Sequence, residues 1–407
     1  DQASAEARVC LMVVDGKPAA SAAEGDRATV FLDRTPFYAE SGGQVGDTGT
    51  LFSDHFRMEV TDTQKVGKAH GHIGRIVAGQ LSVGDTVTAA IDTDRREAIV
   101  LNHSATHLLH AALREVLGEH VTQKGSLVAP DRLRFDFSHN EPVTAEELQR
   151  IESLVNDQIR LNAEAETALM DFDEAVAAGA MALFGEKYDS RVRVLRIGDF
   201  STELCGGTHV ARAGDIGMLK ITSETGIAAG VRRIEAVTGD GALAWVRAGE
   251  TALSRIADMV RGSREEAEDK VRHLLDRSRQ LEKEVRQLKA TLASGQGSDL
   301  AERATDVDGI KVLAARVDGA DPKALREAVD RLKQRLGTAV VVLGSVEDDK
   351  ARLVAGVTKD VTDRVKAGAL VGEIAPLVGG RGGGRPDMAQ AGGSDPGGLD
   401  AALERVR

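Results

Sequence analysis

Asn102-His-Ser-Ala-Thr-His-Leu-Leu-His-Ala-Ala-Leu-Arg-Glu-Val-Leu-Gly118 is the stretch from which the rest of the chain is read. Ala105, Leu108, Leu109, Ala112, Leu113 and Val116 recur at helical spacing and predict a helix from about Asn102 to Gly118. At roughly 100° per residue these apolar positions cover one side, and His103 and His107 fall on the other. One turn apart, with Cβ atoms roughly 5–6 Å from each other, the two imidazoles can close on one ion. His110 shares their face and is a rival ligand.

About a hundred residues downstream lies a second half-site, Cys205-Gly-Gly-Thr-His209. The Gly-Gly turn after Leu204 lets Cys205 and His209 approach the helix without bulky neighbours. A histidine pair on a polar helix face is commonly just solvated, and a single Cys-x-x-x-His is a weak signal. Their coincidence in a chain with only two cysteines and ten histidines points to a metal site with the donors that zinc accepts. Four protein donors can close a structural tetrahedron, whereas a catalytic site keeps a position for water or substrate, and the spacing leaves both open. The helix lacks the glutamate of His-Glu-x-x-His, so hydrolysis would draw on water at the metal, a carboxylate from elsewhere or a group on the substrate. Cys10, in Val9-Cys-Leu-Met-Val-Val14, reads as a buried core thiol, and two cysteines make no disulfide framework.

With 407 residues the chain has core enough for two to four domains. A net charge of −12 weighs against a nucleic-acid partner unless a local patch overrides it. No run of about 18 apolar residues predicts a membrane span, and no signal-peptide pattern appears, so the expected location is cytoplasmic. The chain begins with Asp1, as a segment of something longer would.

The fold class expected is multidomain α+β. Residues 1–97 carry strand patterns at Val9 to Val14, Ala28 to Leu32, Thr50 to Phe52, Phe56 to Thr61 and Ser82 to Ile91, which suit a small β-barrel. Residues 98–238 mix the histidine helix, a second helix from Thr144 to about Asn162, and strands at Arg191 to Ile197, Gly217 to Ser223 and Val231 to Val237. Residues 239–298 are a helical segment. It has a heptad pattern in Val271, Ser278, Val285 and Leu292 against Ala267, Leu274, Leu281 and Leu288, and ends in a Ser-Gly-Gln-Gly-Ser linker at 294–298. A coiled coil, a helical hairpin or a helix packed on its own domain would all carry that pattern.

Residues 299–407 alternate strand and helix as an α/β domain. The pattern gives a strand from Ile310 to Val317 and a helix from Pro322 to Leu336, with Asp321 as cap and Gly337 after its end. Strands follow at Ala339 to Leu343 and Leu353 to Val357, then helices at Asp360 to Lys366 and Leu370 to Leu377. The closing Gly379-Gly-Arg-Gly-Gly-Gly-Arg-Pro386 to Gly393 reads either as a loop whose amides cradle phosphate, with Lys359, Lys366, Arg381 and Arg385 nearby, or as a flexible linker.

Thr35-Pro-Phe-Tyr-Ala-Glu-Ser-Gly-Gly-Gln-Val-Gly-Asp47, the two half-sites and the glycine-rich tail, in this order, resemble the editing and C-terminal domains of alanyl-tRNA synthetase over essentially the whole chain. The resemblance implies a zinc-dependent editing core that hydrolyses the ester of tRNA(Ala) mischarged with serine or glycine. It implies zinc ligands at His103, His107, Cys205 and His209, and a pocket lined by Thr106, Gln123 and Ser126. Thr106 Oγ1 is the expected partner of the serine hydroxyl and Glu40 a water-orienting candidate. The position of Gly206 is often bulkier in relatives, which leaves that wall of the pocket less defined. A C-terminal domain that binds tRNA and supports a homodimer is implied too, whereas no stretch suggests the class II ATP-binding core. A free-standing trans-editing deacylase and a non-catalytic zinc-stabilised tRNA-binding module are the alternatives; a phosphoesterase would need an Asp-His-His motif that is absent.

Overall fold

Alternating apolar and polar residues make eight strands before the histidine helix: β1 (Ser4–Val14), β2 (Lys17–Pro18), β3 (Ser21–Ala23), β4 (Arg27–Leu32), β5 (Gly49–Ser53), β6 (Phe56–Val66), β7 (Ala69–Ser82) and β8 (Thr86–Ile91). The computed structural model describes residues 2–181, 190–317, 319–347 and 349–406, the side chains of 289–299 excepted. The chain divides into two units, Asp1–Leu253 and Ser254–Arg407.

In the first unit, strands β1-β4-β7-β6-β5-β8 close into an antiparallel barrel, β8 returning to β1 from Ser4↔Ala90 to Arg8↔Thr86. Val9, Met12, Val30, Leu51, Met58, Ile76 and Val87 fill it. Strand β7 is not resolved by the sequence pattern, because its glycines read as turns. At Gly74 a Cβ would stand 1.9 Å from the Glu59 carbonyl oxygen, so glycine is what lets β6 and β7 meet at the bend. Cys10 is exposed rather than buried. Strand alternation puts Cys10 on the face opposite buried Ala7 and Val9, and the register slip between Val9 and Leu11 then leaves Leu11 outside and brings Met12 into the core.

The barrel leads into α1 (Thr93–Leu117), which starts well before Asn102. Asp92 caps it, its side chain accepting from the Arg95 N–H, and the charged first turns hide the helix from an apolar-period reading. There follow β9 (Gln123–Val128), β10 (Leu133–Ser138), α2 (Ala145–Leu161), β11 (Ala165–Asp171), α3 (Phe172–Ala177), β12 (Arg191–Ile197), β13 (Ser201–Leu204), β14 (Leu219–Ala228) and β15 (Val231–Thr238). Helix α2 has the expected start, a reciprocal Thr144/Glu147 capping box, and ends at a left-handed Asn162. Leu108, Leu109 and Leu113 of α1 share one core with Ile151, Val155 and Ile159 of α2, with Phe135 and Ile234 of the sheet β14-β15-β10-β9, and with Leu195 of the sheet β11-β12-β13.

Residues 36–47 tie the barrel to this core. Val128 N–H donates to the Gly43 carbonyl at 2.7 Å and Val45 N–H to the Val128 carbonyl at 3.1 Å. Asp47 forms a buried ion pair with Arg96 of α1, whose Nη2 also donates to the Pro36 carbonyl at 3.1 Å.

Helix α4 (Gly239–Met259) crosses the boundary between the units and is separated from α5 (Ala267–Ala301) by a turn with Arg261 at φ 55°. The 294–298 stretch is helical backbone within α5 and not a linker, the helix running on until Leu300 is buried in the core of the second unit. Leu274, Leu281 and Leu288 lie exposed along α5; the side chain of Leu292 falls outside the described residues.

Beyond α5 come β16 (Thr305–Val307), β17 (Ile310–Arg316), α6 (Pro322–Leu336), β18 (Ala339–Glu347), β19 (Lys350–Val357), α7 (Ala367–Ile374), β20 (Gly380–Arg385), β21 (Met388–Gly393) and α8 (Leu399–Glu404). The sheet order is β16-β17-β18-β19-β21-β20, and only β17 and β18 pair in parallel, across α6. The tail is thus a mostly antiparallel sheet with one crossover, not a repeating α/β unit. Val341 and Leu343 face α6, while Val340 and Val342 face α7 and α8, so Ala339 to Leu343 reads as one continuous apolar run.

Two expectations fail here. Residues Asp360 to Lys366 make a short 3-10 turn over Lys359–Val361 and not a helix. The glycine-rich tail is the hairpin β20–β21 rather than a phosphate-cradling loop. A Cβ on Gly382 would sit 2.4 Å from Val371 Cγ1, so the glycine serves close packing of α7, and its amides run along a strand. Among the described residues no helix is long and apolar enough to cross a membrane.

Asp47→Ala would leave the Arg96 guanidinium buried without its carboxylate. The expected loss is about 3–5 kcal/mol in the unfolding of the first unit, read by urea titration of the full chain; an unchanged midpoint would show that the pair does not brace residues 36–47.

Candidate metal centre

Helix α1 is buried on both sides, so the face opposite its apolar stripe is lined by protein rather than by water. His103, His107 and His110 are 5%, 6% and 4% exposed. Strand β13 ends at Leu204, and the turn after it carries Cys205 and His209 back against this face. One donor atom from each of His103, His107, Cys205 and His209 lies within 4.8 Å of the others. Cys205 Sγ is 3.4 Å from His103 Nε2 and 3.3 Å from His209 Nε2. Gly207 makes the approach possible, since a Cβ there would fall 2.1 Å from His103 Cε1.

Each helix imidazole is fixed through its other nitrogen. His103 Nδ1 lies 2.7 Å from Gln44 Oε1, which also accepts from the Thr208 N–H at 3.0 Å, while Gln44 Nε2 donates to Thr208 Oγ1 at 2.9 Å. His107 Nδ1 lies 2.6 Å from Glu203 Oε2, and His110 Nδ1 2.9 Å from Glu203 Oε1. His110 therefore shares a carboxylate with His107 instead of competing for the metal. His107 Nε2 is buried with no hydrogen-bond partner and belongs to the converging set. A buried imidazole nitrogen without a partner is costly, and a cation at the centre of the four donors would satisfy it. The donor set, three imidazoles and one thiolate, fits zinc.

The electrostatics agree. Burial pushes the Cys205 thiol up, but His103 and His107 beside it hold it well below the usual thiol range, as a thiolate ligand requires. Burial likewise opposes charge on His107, yet Glu203, then Cys205, carry it up to about 10. Glu203, despite burial, is lowered to about 2, chiefly by His107. Burial, then His103, pushes His209 down to about 3, leaving it a neutral donor. An ion held by the four donors would take the place of the His107 Nε2 proton, with Nδ1 still bonded to Glu203.

Three of the donors, His103, His107 and Cys205, line a cavity of about 120 Å³ whose wall also includes Thr106, Gln123, Ser126 and Phe135. Thr106 Oγ1 is 2.8 Å from the Asn102 carbonyl, to which it donates, so its lone pairs are free to accept. Of the expected site residues, Glu40 alone is not brought here. It is exposed, held by its N–H to the Thr63 carbonyl at 2.9 Å, and does not line the cavity. Gly206 is exposed with open space around it, so a bulkier residue would fit. Gln44 and Glu203 are the functional residues that spacing does not reveal. The one signal is position: Gln44 closes Ser-Gly-Gly-Gln and Glu203 stands two residues before Cys205.

Three family models match the chain in order: tRNA synthetases class II (A) over residues 1–95, the threonyl and alanyl tRNA synthetase second additional domain over 192–235, and the DHHA1 domain over 309–407. The second match contains Glu203, Cys205 and His209. The crystal structure of the C-Ala domain from Aquifex aeolicus alanyl-tRNA synthetase is similar at 32% identity, covering 25% of this chain and 93% of that one, with a TM-score of 0.24.

Glu203→Gln removes the charge that orients His107 while keeping the side chain's shape. Zinc affinity, measured by competition with a chromogenic chelator, is expected to fall about 10–100-fold; wild-type affinity would remove Glu203 from the centre.

Proposed function

The chain belongs to the alanyl-tRNA synthetase family, and on that premise we propose that its metal-side cavity hydrolyses the ester of tRNA(Ala) mischarged with serine or glycine. One observation carries this reading: three imidazole nitrogens and a thiolate converge beside a small, partly polar cavity. Zinc held by His103, His107, Cys205 and His209 would supply a Lewis acid for the ester carbonyl.

Substrate choice falls to the chain's own groups. A synthetic site built for alanine cannot strongly reject an amino acid that merely adds a hydroxyl, nor the smaller glycine, so a second sieve is needed. Thr106 Oγ1, its proton committed to Asn102, accepts the hydrogen bond of the serine hydroxyl, an interaction that an alanyl ester cannot make. Gln123 and Ser126 of β9 offer polar groups on the same cavity. Glu203 stays ionised and occupied by two imidazoles, so it orients rather than taking the water's proton. The C-terminal unit is read as the tRNA-binding and homodimerising part. The exposed leucine row on α5 supports a coiled-coil partner of the same kind.

Purified full chain should deacylate seryl-tRNA(Ala), with activity lost on chelation and in Cys205→Ala; activity indifferent to both would overturn the assignment. In Thr106→Val, kcat/KM for the seryl ester is expected to drop about tenfold and its preference over the alanyl ester with it. Unchanged selectivity would free Thr106 of that role. Removing residues 300–407 should weaken tRNA binding in filter titrations at two salt concentrations, and equal affinity would contradict the C-terminal reading.

A further inference from the structure

The cavity grades from a dry floor to a wet rim. His103, Thr106, His107 and Phe135 are buried, while the exposed lining residues are Gly42, Lys65 and Gly206. A Cβ on either glycine would meet nothing within 4 Å, so two rim positions are bare backbone facing open space. The third carries the ammonium of Lys65, with Ser41 Oγ at 2.9 Å and no carboxylate partner among the described residues. Its backbone is set by the β6–β7 pairing, where Lys65 stands opposite His70.

Size decides what meets this rim. A volume of about 120 Å³ falls well below the roughly 300 Å³ at which small-molecule pockets begin. An aminoacyl group fits inside; the nucleoside that carries it must stay outside. The terminal ribose then lies against the bare backbone of Gly42 and Gly206, and the nearest negative charge on the strand is the phosphate on that ribose's 5′ side. A chain of net charge −12 repels a polyanion at long range, so an unpaired cation at the mouth is where a phosphate can be held.

We propose that Lys65 binds the terminal phosphodiester of the aminoacylated strand and so sets how far the ester enters the cavity. This rests on the deacylase reading above. Lys65 touches no reacting atom; it supplies affinity and register for a phosphate-bearing substrate.

The test compares full-length wild type, Lys65→Met and Lys65→Arg on seryl-tRNA(Ala) and on 2′(3′)-O-seryladenosine, which keeps the ester and ribose but has no phosphate. On seryl-tRNA, Lys65→Met is expected to raise KM about tenfold with little change in kcat, and to flatten the slope of log KM against log salt by about one. Lys65→Arg should restore most of the affinity. On seryladenosine the ratio between wild type and Lys65→Met should fall back toward one. If Lys65→Met matches wild type on seryl-tRNA, or is equally impaired on both substrates, Lys65 is not a phosphate ligand. If wild type hydrolyses neither substrate, the deacylase reading itself fails, and this inference with it.

Discussion

Three imidazoles and a thiolate buried within a few ångströms of one another need a positive charge among them, a proton on His107 or an ion that would replace it, and the first unit holds the four groups in place around that constraint. The donors come from two elements distant in sequence, a turn of α1 and the turn after β13, so their meeting depends on tertiary packing. Fixing each helix imidazole from behind, by Gln44 or Glu203, leaves only the nitrogens that face the centre. The same arrangement puts the donors beside a cavity instead of in a closed core.

The barrel contributes to the site although none of its strands bears a metal donor. Residues 36–47 leave the barrel, pair with β9 and lock onto α1 through Asp47 and Arg96, and in passing deliver Gln44 to His103. Strand β6 adds Lys65 at the rim. One segment thus couples the barrel's register to the orientation of His103, a candidate metal ligand.

Much of this was legible in the sequence where local physics decides the outcome. Asp321, Pro322 and Gly337 bound α6, and the Thr144 box bounds α2, because caps and fixed φ act within a few residues. The four residues that converge were legible as candidate donors because zinc chemistry admits few residue types. Where packing decides, the pattern misleads. Strand β7 was hidden by glycines that the barrel bend needs, and a bulge exposes Leu11 and buries Met12 in a run whose apolar residues all look like core. The glycine-rich tail looked like a loop because nothing local announces that α7 will press on it. His110 passed for a ligand because spacing cannot show that Glu203 lies between it and His107. Glu40 sits in the right segment, but the backbone of that segment points it to solvent.

The proposed centre requires one ion held by one thiolate and three imidazoles. Cobalt(II) can report this directly, because thiolate-to-cobalt charge transfer gives an absorption band that imidazole ligands do not. Full-length protein loaded with one equivalent of cobalt should show that band, keep it in Cys10→Ala and lose it in Cys205→Ala. A spectrum without the band, or one that survives Cys205→Ala, would contradict the centre described.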